Sequence, residues 1–521
     1  MTLSAAGKNT SADTRSAGEL IAAHETMLRQ PNLPDWQSAQ LWRTLAHLLI
    51  QQNAFDRALE ALFEAVTRQP DQAETFFDLG NLLFRMGNAD AAVSAFRQAA
   101  TLAPDNAAVW HNYGNALSAL QIATTAESCF REAVRLEPRD TAYLKSLAVH
   151  LLHLGKKSEA RQAFALLVDI DPSNGPAHLN LAGLKRFEAH DLQIARMETC
   201  LSNPATTAED RITLGFALFK AFDDLKEHGR AFANLEEANR RKRGSLDYDM
   251  AIEERAFSAM KDFFTEDFFR RHHRFGADEI APIFIVGMPR SGTTLTEQIL
   301  SSHSTVAAGG EAAAMSDLVG GFLGSAREQG LALTEEKFSA ERSLEMGRHY
   351  AGRMRDVAGL KPRFTDKMPL NFRWIGIIAA ILPKARFVHC VRNPLENCFS
   401  IYSSYFSSEG NRYAYDQDEL GRYYRHYRSL MDHWQAVLPN RIHDVRLDGL
   451  VADQEAATRR LLDFCGLAFE PACLDFHRNT NRVTTLSAMQ VRQPIYGGQD
   501  ERIRPYLPQL DPLRTALGPL G

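Results

Sequence analysis

Large and small apolar residues recur through the first half of the chain with a period of 34 residues, marked by Pro70, Pro104, Pro138 and Pro172. Ala58, Ala92, Ala126 and Ala160 share one repeat position, and Leu62, Phe96, Phe130 and Phe164 the next large one. Trp42, Phe76, Trp110 and Leu144 open the units, while Ala46, Gly80, Gly114 and Ala148 supply a small residue where two helices must cross closely. Each unit therefore reads as two amphipathic helices. The proline ends the second helix, because it has no N–H to donate to the preceding turn. A stripe that one unit cannot bury alone is buried by stacking on the next unit, which predicts a solenoid. After Pro172 the period decays: residues 175–203 read as a degenerate unit, and 208–241 as a further helix pair with Ala231, Leu235 and Ala238 on one face.

The pattern then changes. Ile283-Phe284-Ile285-Val286 is a short, largely β-branched apolar run, as expected of a buried strand in a parallel sheet. Gly287-Met288-Pro289-Arg290-Ser291-Gly292-Thr293-Thr294 follows, and residues 295–300 have helical character. Strand, glycine-bearing loop and helix together direct backbone N–H groups and a helix N-terminus at an anion. The glycines keep the spacing of a nucleoside-triphosphate loop, but the lysine is missing and no aspartate is evident to hold magnesium. Hydroxyls and Arg290 suit a single phosphate carrying another acidic group. A second strand, turn and helix runs over 385–405, with Arg392 at the turn and Ser400 on the helix. An arginine fork and a hydroxyl form a compact phosphate cradle.

Composition narrows the alternatives. A length of 521 residues calls for several domains. The formal net charge of −5 excludes a global basic field for nucleic acid. The basic runs at 240–243 and 270–274 read as solvated surface. Cys129, Cys200, Cys390, Cys398, Cys465 and Cys473 form no CxxC pair and read as reduced, mostly buried thiols. No Cys/His cluster has metal-ligand spacing, so no metal is expected. No run approaches the ~20 apolar residues of a membrane helix. Met1 to Gly18 is polar and lacks the apolar core of a signal peptide, so a cytoplasmic protein is expected.

The 34-residue pattern resembles the tetratricopeptide repeat. The loop Pro289-Arg290-Ser291-Gly292-Thr293-Thr294 resembles the 5′-phosphosulfate loop of sulfotransferases, and more narrowly that of tyrosylprotein sulfotransferases and bacterial tetratricopeptide-repeat sulfotransferases. The resemblance covers roughly residues 281–510. Residues 385–394, with Ser400, resemble the segment that holds the 3′-phosphate; Thr365 to Asn371 resembles the segment with a catalytic lysine, here Lys367. Thr484 to Tyr496 is similar to the C-terminal segment of bacterial members, in which Ser487 maps to a serine near the leaving phosphate. Gly309-Gly310-Glu311 matches the context of the base that takes the acceptor's proton.

The resemblance implies 3′-phosphoadenylyl sulfate as co-substrate, held by Pro289, Arg290, Ser291, Gly292, Thr293, Thr294, Arg392, Ser400 and Arg502. It implies catalysis by Glu311 as base, with Arg290, Lys367 and Ser487 on the departing oxygen, and no metal. The chain departs from the family at Leu447 and Asp448, where Tyr and Glu are usual, and at Glu501 and Ile503, where Gly and Trp are common. These departures bear on nucleotide affinity and leave the loop untouched.

The expected architecture is an all-α tetratricopeptide-repeat solenoid followed by an α/β phosphate-loop sulfotransferase domain with a mostly parallel sheet. Expected boundaries are a disordered start at 1–18, repeats at 19–243, a helical connector at 244–280 and the sulfotransferase domain at 281–521. The expected activity is sulfuryl transfer to a hydroxyl or phenol, a protein tyrosine among the candidates. The rivals are a repeat scaffold with a degenerate nucleotide-binding domain, and a phosphate-loop kinase. Expected partners are a hydroxyl-bearing acceptor, a protein in the repeat groove, or a second copy of the chain.

Overall fold

Proline spacing sets the helix ends in the computed structural model, which describes residues 16–324, 333–359, 361–407, 409–479, 491–492, 495 and 500–521. The chain divides into two compact units between Ile170 and Asp171. In the first, helix pairs Asp35–Gln51/Phe55–Arg68, Ala73–Arg85/Ala89–Leu102, Ala107–Ala119/Ala123–Leu136 and Thr141–His153/Lys157–Ile170 follow one another. Second helices stop just short of Pro70, Pro104, Pro138 and Pro172. Gln69, Ala103 and Glu137 lie outside helical ψ, as residues before proline must. The repeated alanines at 58, 92, 126 and 160 are fully buried. At Gly80 a Cβ would sit 2.6 Å from the Phe96 ring, so the repeat glycine is required by the close crossing itself.

A further periodic feature is the turn inside each pair. Asn53, Gly87, Gln121 and Gly155 all have positive φ, and their spacing is that of the repeat. This is the left-handed residue that closes a helix C-terminus. Its identity varies, so it is invisible to a search for repeated residue types.

The second unit contains the helices Gly175–Gly183, Leu192–Ser202, Ala208–Asp224, His228–Gly244, Met250–Phe263 and Glu266–His272 before the sheet begins. Five parallel strands follow: β1 (Ile283–Gly287), β2 (Val306–Ala307), β3 (Arg363–Asp366), β4 (Arg386–Val391) and β5 (Ile442–Arg446). Their order is β2-β3-β1-β4-β5. Strands alternate between two cores: Phe284, Val286 and Phe387 face one, and Ile283, Ile285, Val388 and Val445 the other. Both faces are covered by helices, the arrangement that lets a parallel sheet bury all its strands. The chain crosses from one side of β1 to the other, which makes the C-terminal end of β1 the switch point where such sheets bind ligands.

Helices Ala208–Asp224 and His228–Gly244 share the larger of these cores with the sheet. Phe216, Phe219, Phe232 and Leu235 lie in the same buried cluster as Phe399, Tyr402 and Tyr506. Arg243 forms a bidentate pair with Glu419, at 2.6 and 2.7 Å. The basic run at 240–243 is thus engaged by Glu237, Glu209 and Glu419. In the run at 270–274, His272 is buried and stacks on Phe268 with ring centroids 4.1 Å apart. Cys129, Cys390, Cys398, Cys465 and Cys473 are buried free thiols, and Cys200 is partly exposed. Among the described residues no helix is long and apolar enough to cross a membrane.

Candidate active site

Three adjacent strands deliver the site at their C-terminal ends. β1 runs into the glycine-bearing loop and the helix Thr293–Ser301. Gly287 has φ +147°, and a Cβ there would lie 2.6 Å from the carbonyl oxygen of Cys390 on β4, so the loop leaves the sheet through a position closed to other residues. Arg290 has φ +65°. A non-glycine residue in this region costs about 1–2 kcal/mol, a strain of the kind found at ligand clamps. Gly292, with φ +103°, caps the helix without a side chain, leaving its first N–H groups to bind elsewhere.

Ser291 is 2% exposed, and its Oγ has no hydrogen-bond partner among the described residues. A buried hydroxyl left unpaired costs about 1–3 kcal/mol. With Thr293 and Thr294, also buried, it lines the loop with hydroxyls. An acceptor-rich anion fits this cradle, because it satisfies the orphan hydroxyl and the helix N-terminus together. The Pro289 carbonyl is held by Asn397 Nδ2 at 2.9 Å. Arg290 Nε donates to Ser400 Oγ at 3.4 Å, joining the loop to the helix Pro394–Tyr402. Arg392 pairs with Glu396 one turn along that helix, at 3.2 Å.

The end of β3 supplies Lys367, which is 1% exposed. Its ammonium lies 2.6 Å from Glu311 Oε1, and the Glu311 side chain is 37% exposed. The pair thus joins a buried cation to a carboxylate that reaches solvent. Lys367 N also donates to Gly310 O at 2.9 Å. Glu297, on the loop helix, is buried and accepts at Oε1 from Gly310 N and Thr365 Oγ1, at 2.9 and 3.0 Å. Burial raises the Glu297 carboxyl above its usual range, and the charge of Lys367 opposes this.

Two further titratable groups sit beneath the site. Asp366 is fully buried, accepts from Tyr350 OH at 2.8 Å and from Asn371 Nδ2 at 3.2 Å, and is pushed up to about 7 by burial. The Tyr350 hydrogen bond opposes that shift and the Glu297 charge adds to it. His389 is fully buried between Asp444, at 2.8 Å, and the Tyr427 hydroxyl. Burial lowers it, and the Asp444 hydrogen bond opposes this. Neither group reaches solvent as Glu311 does.

The structure therefore brings Glu311 to Lys367 and Arg290 to Ser400. Arg502 instead pairs with Asp223 at 3.1 Å, where Tyr506 OH also donates at 2.6 Å. Ser487 lies outside the described residues. Glu297, Asn397 and Asp223 are partners that sequence reasoning did not single out. A glutamate on the apolar side of the helix after the loop was the available signal for Glu297. Among the described residues no group of three or more His, Cys, Asp or Glu could hold a metal ion.

Comparison with known proteins gives this geometry a context. Residues 282–471 match the sulfotransferase family, and residues 43–107, 77–127 and 111–175 match the tetratricopeptide repeat. An uncharacterized protein of Aquifex aeolicus (strain VF5) is 31% identical over 380 residues, which are 71% of this chain and 49% of that protein. The chain thus spans about half the length of that relative. A Caenorhabditis briggsae protein named as a candidate protein-tyrosine sulfotransferase is 24% identical over 220 residues, 41% of this chain and 77% of that protein. Among solved structures, YrrB, a tetratricopeptide-repeat protein with an unusual peptide-binding site, is 21% identical, covering 42% of this chain and 98% of its own, with a TM-score of 0.29. Pseudomonas aeruginosa PilF is 19% identical, covering 38% and 90%, with a TM-score of 0.30. The chain thus joins a segment that matches the tetratricopeptide repeat, within residues 43–175, to one that matches the sulfotransferase family over residues 282–471.

Proposed function

We propose that this protein transfers the sulfuryl group of 3′-phosphoadenylyl sulfate to a hydroxyl or phenol acceptor. The observation that carries the reading is the Glu311–Lys367 pair at 2.6 Å, at the C-terminal end of the strand beside the hydroxyl-lined loop. It sets a solvent-reaching carboxylate and a buried cation side by side, as an in-line transfer needs for its acceptor and its leaving group.

Bound to the loop, the donor supplies a sulfuryl group whose leaving oxygen already belongs to a phosphate. Ser291, Thr293, Thr294 and the N–H groups after Gly292 hold the phosphosulfate, beside Pro289 and Arg290. Arg392, Ser400 and Arg502 are assigned to the 3′-phosphate side. Glu311 takes the acceptor's hydroxyl proton as the acceptor oxygen bonds to sulfur and the sulfur–oxygen bond to phosphate breaks. Lys367 and Arg290 hold the charge released on that oxygen, with Ser487. In this reading the reaction needs no metal. The acceptor carries a hydroxyl or phenol, a protein tyrosine among the candidates, and the repeats are assigned to a protein partner in a cytoplasmic setting.

Calorimetry tests the donor assignment. Adenosine 3′,5′-bisphosphate is expected to bind the parent, and Arg290→Ala and Arg392→Ala to weaken it far more than they lower melting. Equal binding by all three proteins would remove the donor site from this loop. Stabilisation by ATP with magnesium, but not by the bisphosphate, would favour a kinase.

A further inference from the structure

Glu297 is a carboxylate buried beneath the loop, with no role in the chemistry above. It sits one turn into the helix that begins at the loop, and its Oε1 accepts from Gly310 N at 2.9 Å and from Thr365 Oγ1 at 3.0 Å. Thr365 Oγ1 in turn accepts from Gly309 N at 3.1 Å, and Lys367 N donates to Gly310 O at 2.9 Å. Gly310 has φ +60°, so the backbone turns sharply just before Glu311. One side chain therefore joins the helix that presents the anion loop, the strand that presents Lys367 and the turn that presents Glu311. Either protonation state keeps a carboxyl oxygen that accepts from the Gly310 N–H; burial disfavours the ionised form and the Lys367 charge opposes this.

We propose that Glu297 is the positioning residue that registers the base segment against the donor loop, fixing the Gly310 peptide and so aiming Glu311. This inference rests on the reading of Glu311 as base and of the loop as donor site. Glu297 acts through Glu311 and touches neither donor nor acceptor. Loss of its oxygen frees the 309–311 turn and leaves the loop itself intact.

The direct readout is site-resolved hydrogen exchange at residues 309–311 in the full-length chain, with and without adenosine 3′,5′-bisphosphate. Glu297→Leu is expected to speed exchange at Gly310 by about tenfold or more, since the amide loses its acceptor. In the parent, nucleotide-induced protection is expected to extend from the loop to 309–311; in Glu297→Leu it stops at the loop. Glu297→Gln, which keeps an acceptor oxygen, is expected to restore most of both effects. Turnover with p-nitrophenol as acceptor supplies the second arm. Glu297→Leu should lower kcat about tenfold or more with the donor KM little changed, and should cost little further in a Glu311→Gln background. Unchanged Gly310 exchange in Glu297→Leu, or full additivity with Glu311→Gln, would overturn the proposal. Should Glu297→Leu fail to fold, Glu297→Met keeps the length of the side chain without its oxygens, and unchanged Gly310 exchange in that variant overturns the proposal equally. A parent that does not bind the bisphosphate, or a Glu311→Gln protein with full turnover, would instead reject the functional reading, and exchange without nucleotide still decides the role of Glu297.

Discussion

Replacing Glu311 by Gln isolates the proposed base from the scaffold around it. The amide keeps an oxygen that accepts from Lys367 Nζ, 2.6 Å away in the parent, and removes only the capacity to take a proton. Lys367 is buried, so loss of its counter-charge is felt; Glu311 is partly exposed, and Glu297 remains nearby as a second carboxylate. The stability cost is therefore the difference between a charged and a neutral hydrogen bond, about 1 kcal/mol. That lowers the melting temperature by about 1–2 °C for a unit of this size. General-base catalysis contributes on the order of 10² to 10⁴ in rate, or about 3–5 kcal/mol of barrier. Turnover should thus fall by that factor, while calorimetry shows adenosine 3′,5′-bisphosphate bound within a few-fold of the parent. Single-turnover measurement with saturating donor separates the chemical step from release. A Glu311→Gln protein that keeps most of its single-turnover rate would refute the assignment, and a loss no larger than its loss of folded protein would do the same.

Ser291→Ala should leave melting unchanged or raise it slightly, because the parent buries an unpaired hydroxyl, yet weaken the bisphosphate by about 10- to 100-fold; parallel losses in melting and binding would contradict this. Asp366 has a folded value of about 7 against an ordinary 3.8, so its contribution to stability is fully present below pH 3.8 and is lost as the pH rises through about 7. The full difference is about 4 kcal/mol. Denaturant titrations should therefore show Asp366→Asn gaining on the parent across that window, and a pH-independent difference would refute it. We propose that a fragment of residues 171–521 unfolds cooperatively, whereas 244–521 melts early or aggregates, because it uncovers the core that Phe216, Phe219, Phe232 and Leu235 fill at about 1.5–3 kcal/mol each. Equal melting of the two fragments would count against that boundary.

Local regularity is what made much of the fold legible. Repeated prolines and alanines announce helix pairs because each unit solves the same packing problem. A short β-branched run before glycines announces a strand, loop and helix because the chain must reverse there. The partners of the site residues are set by distant segments and carry no such mark. Ser400 meets Arg290 across the end of the sheet, while Arg392, just before the helix Pro394–Tyr402, turns to Glu396 in its first turn. Asp223 holds Arg502 from a helix that the repeat spacing associates with the first half of the chain. Glu297 resembles any helical glutamate until the fold encloses it. The left-handed turns at Asn53, Gly87, Gln121 and Gly155 escaped notice for a different reason: the backbone repeats there and the residue does not.

The most direct test of the account is a transfer assay with radiolabelled 3′-phosphoadenylyl sulfate, the full-length protein and a cell extract, with Glu311→Gln run beside the parent. The account predicts label on a hydroxyl-bearing acceptor, abolished by excess adenosine 3′,5′-bisphosphate and nearly lost in Glu311→Gln, with magnesium chelation without effect. Absence of transfer by a parent that binds the bisphosphate, or transfer of phosphate from ATP instead, would contradict it.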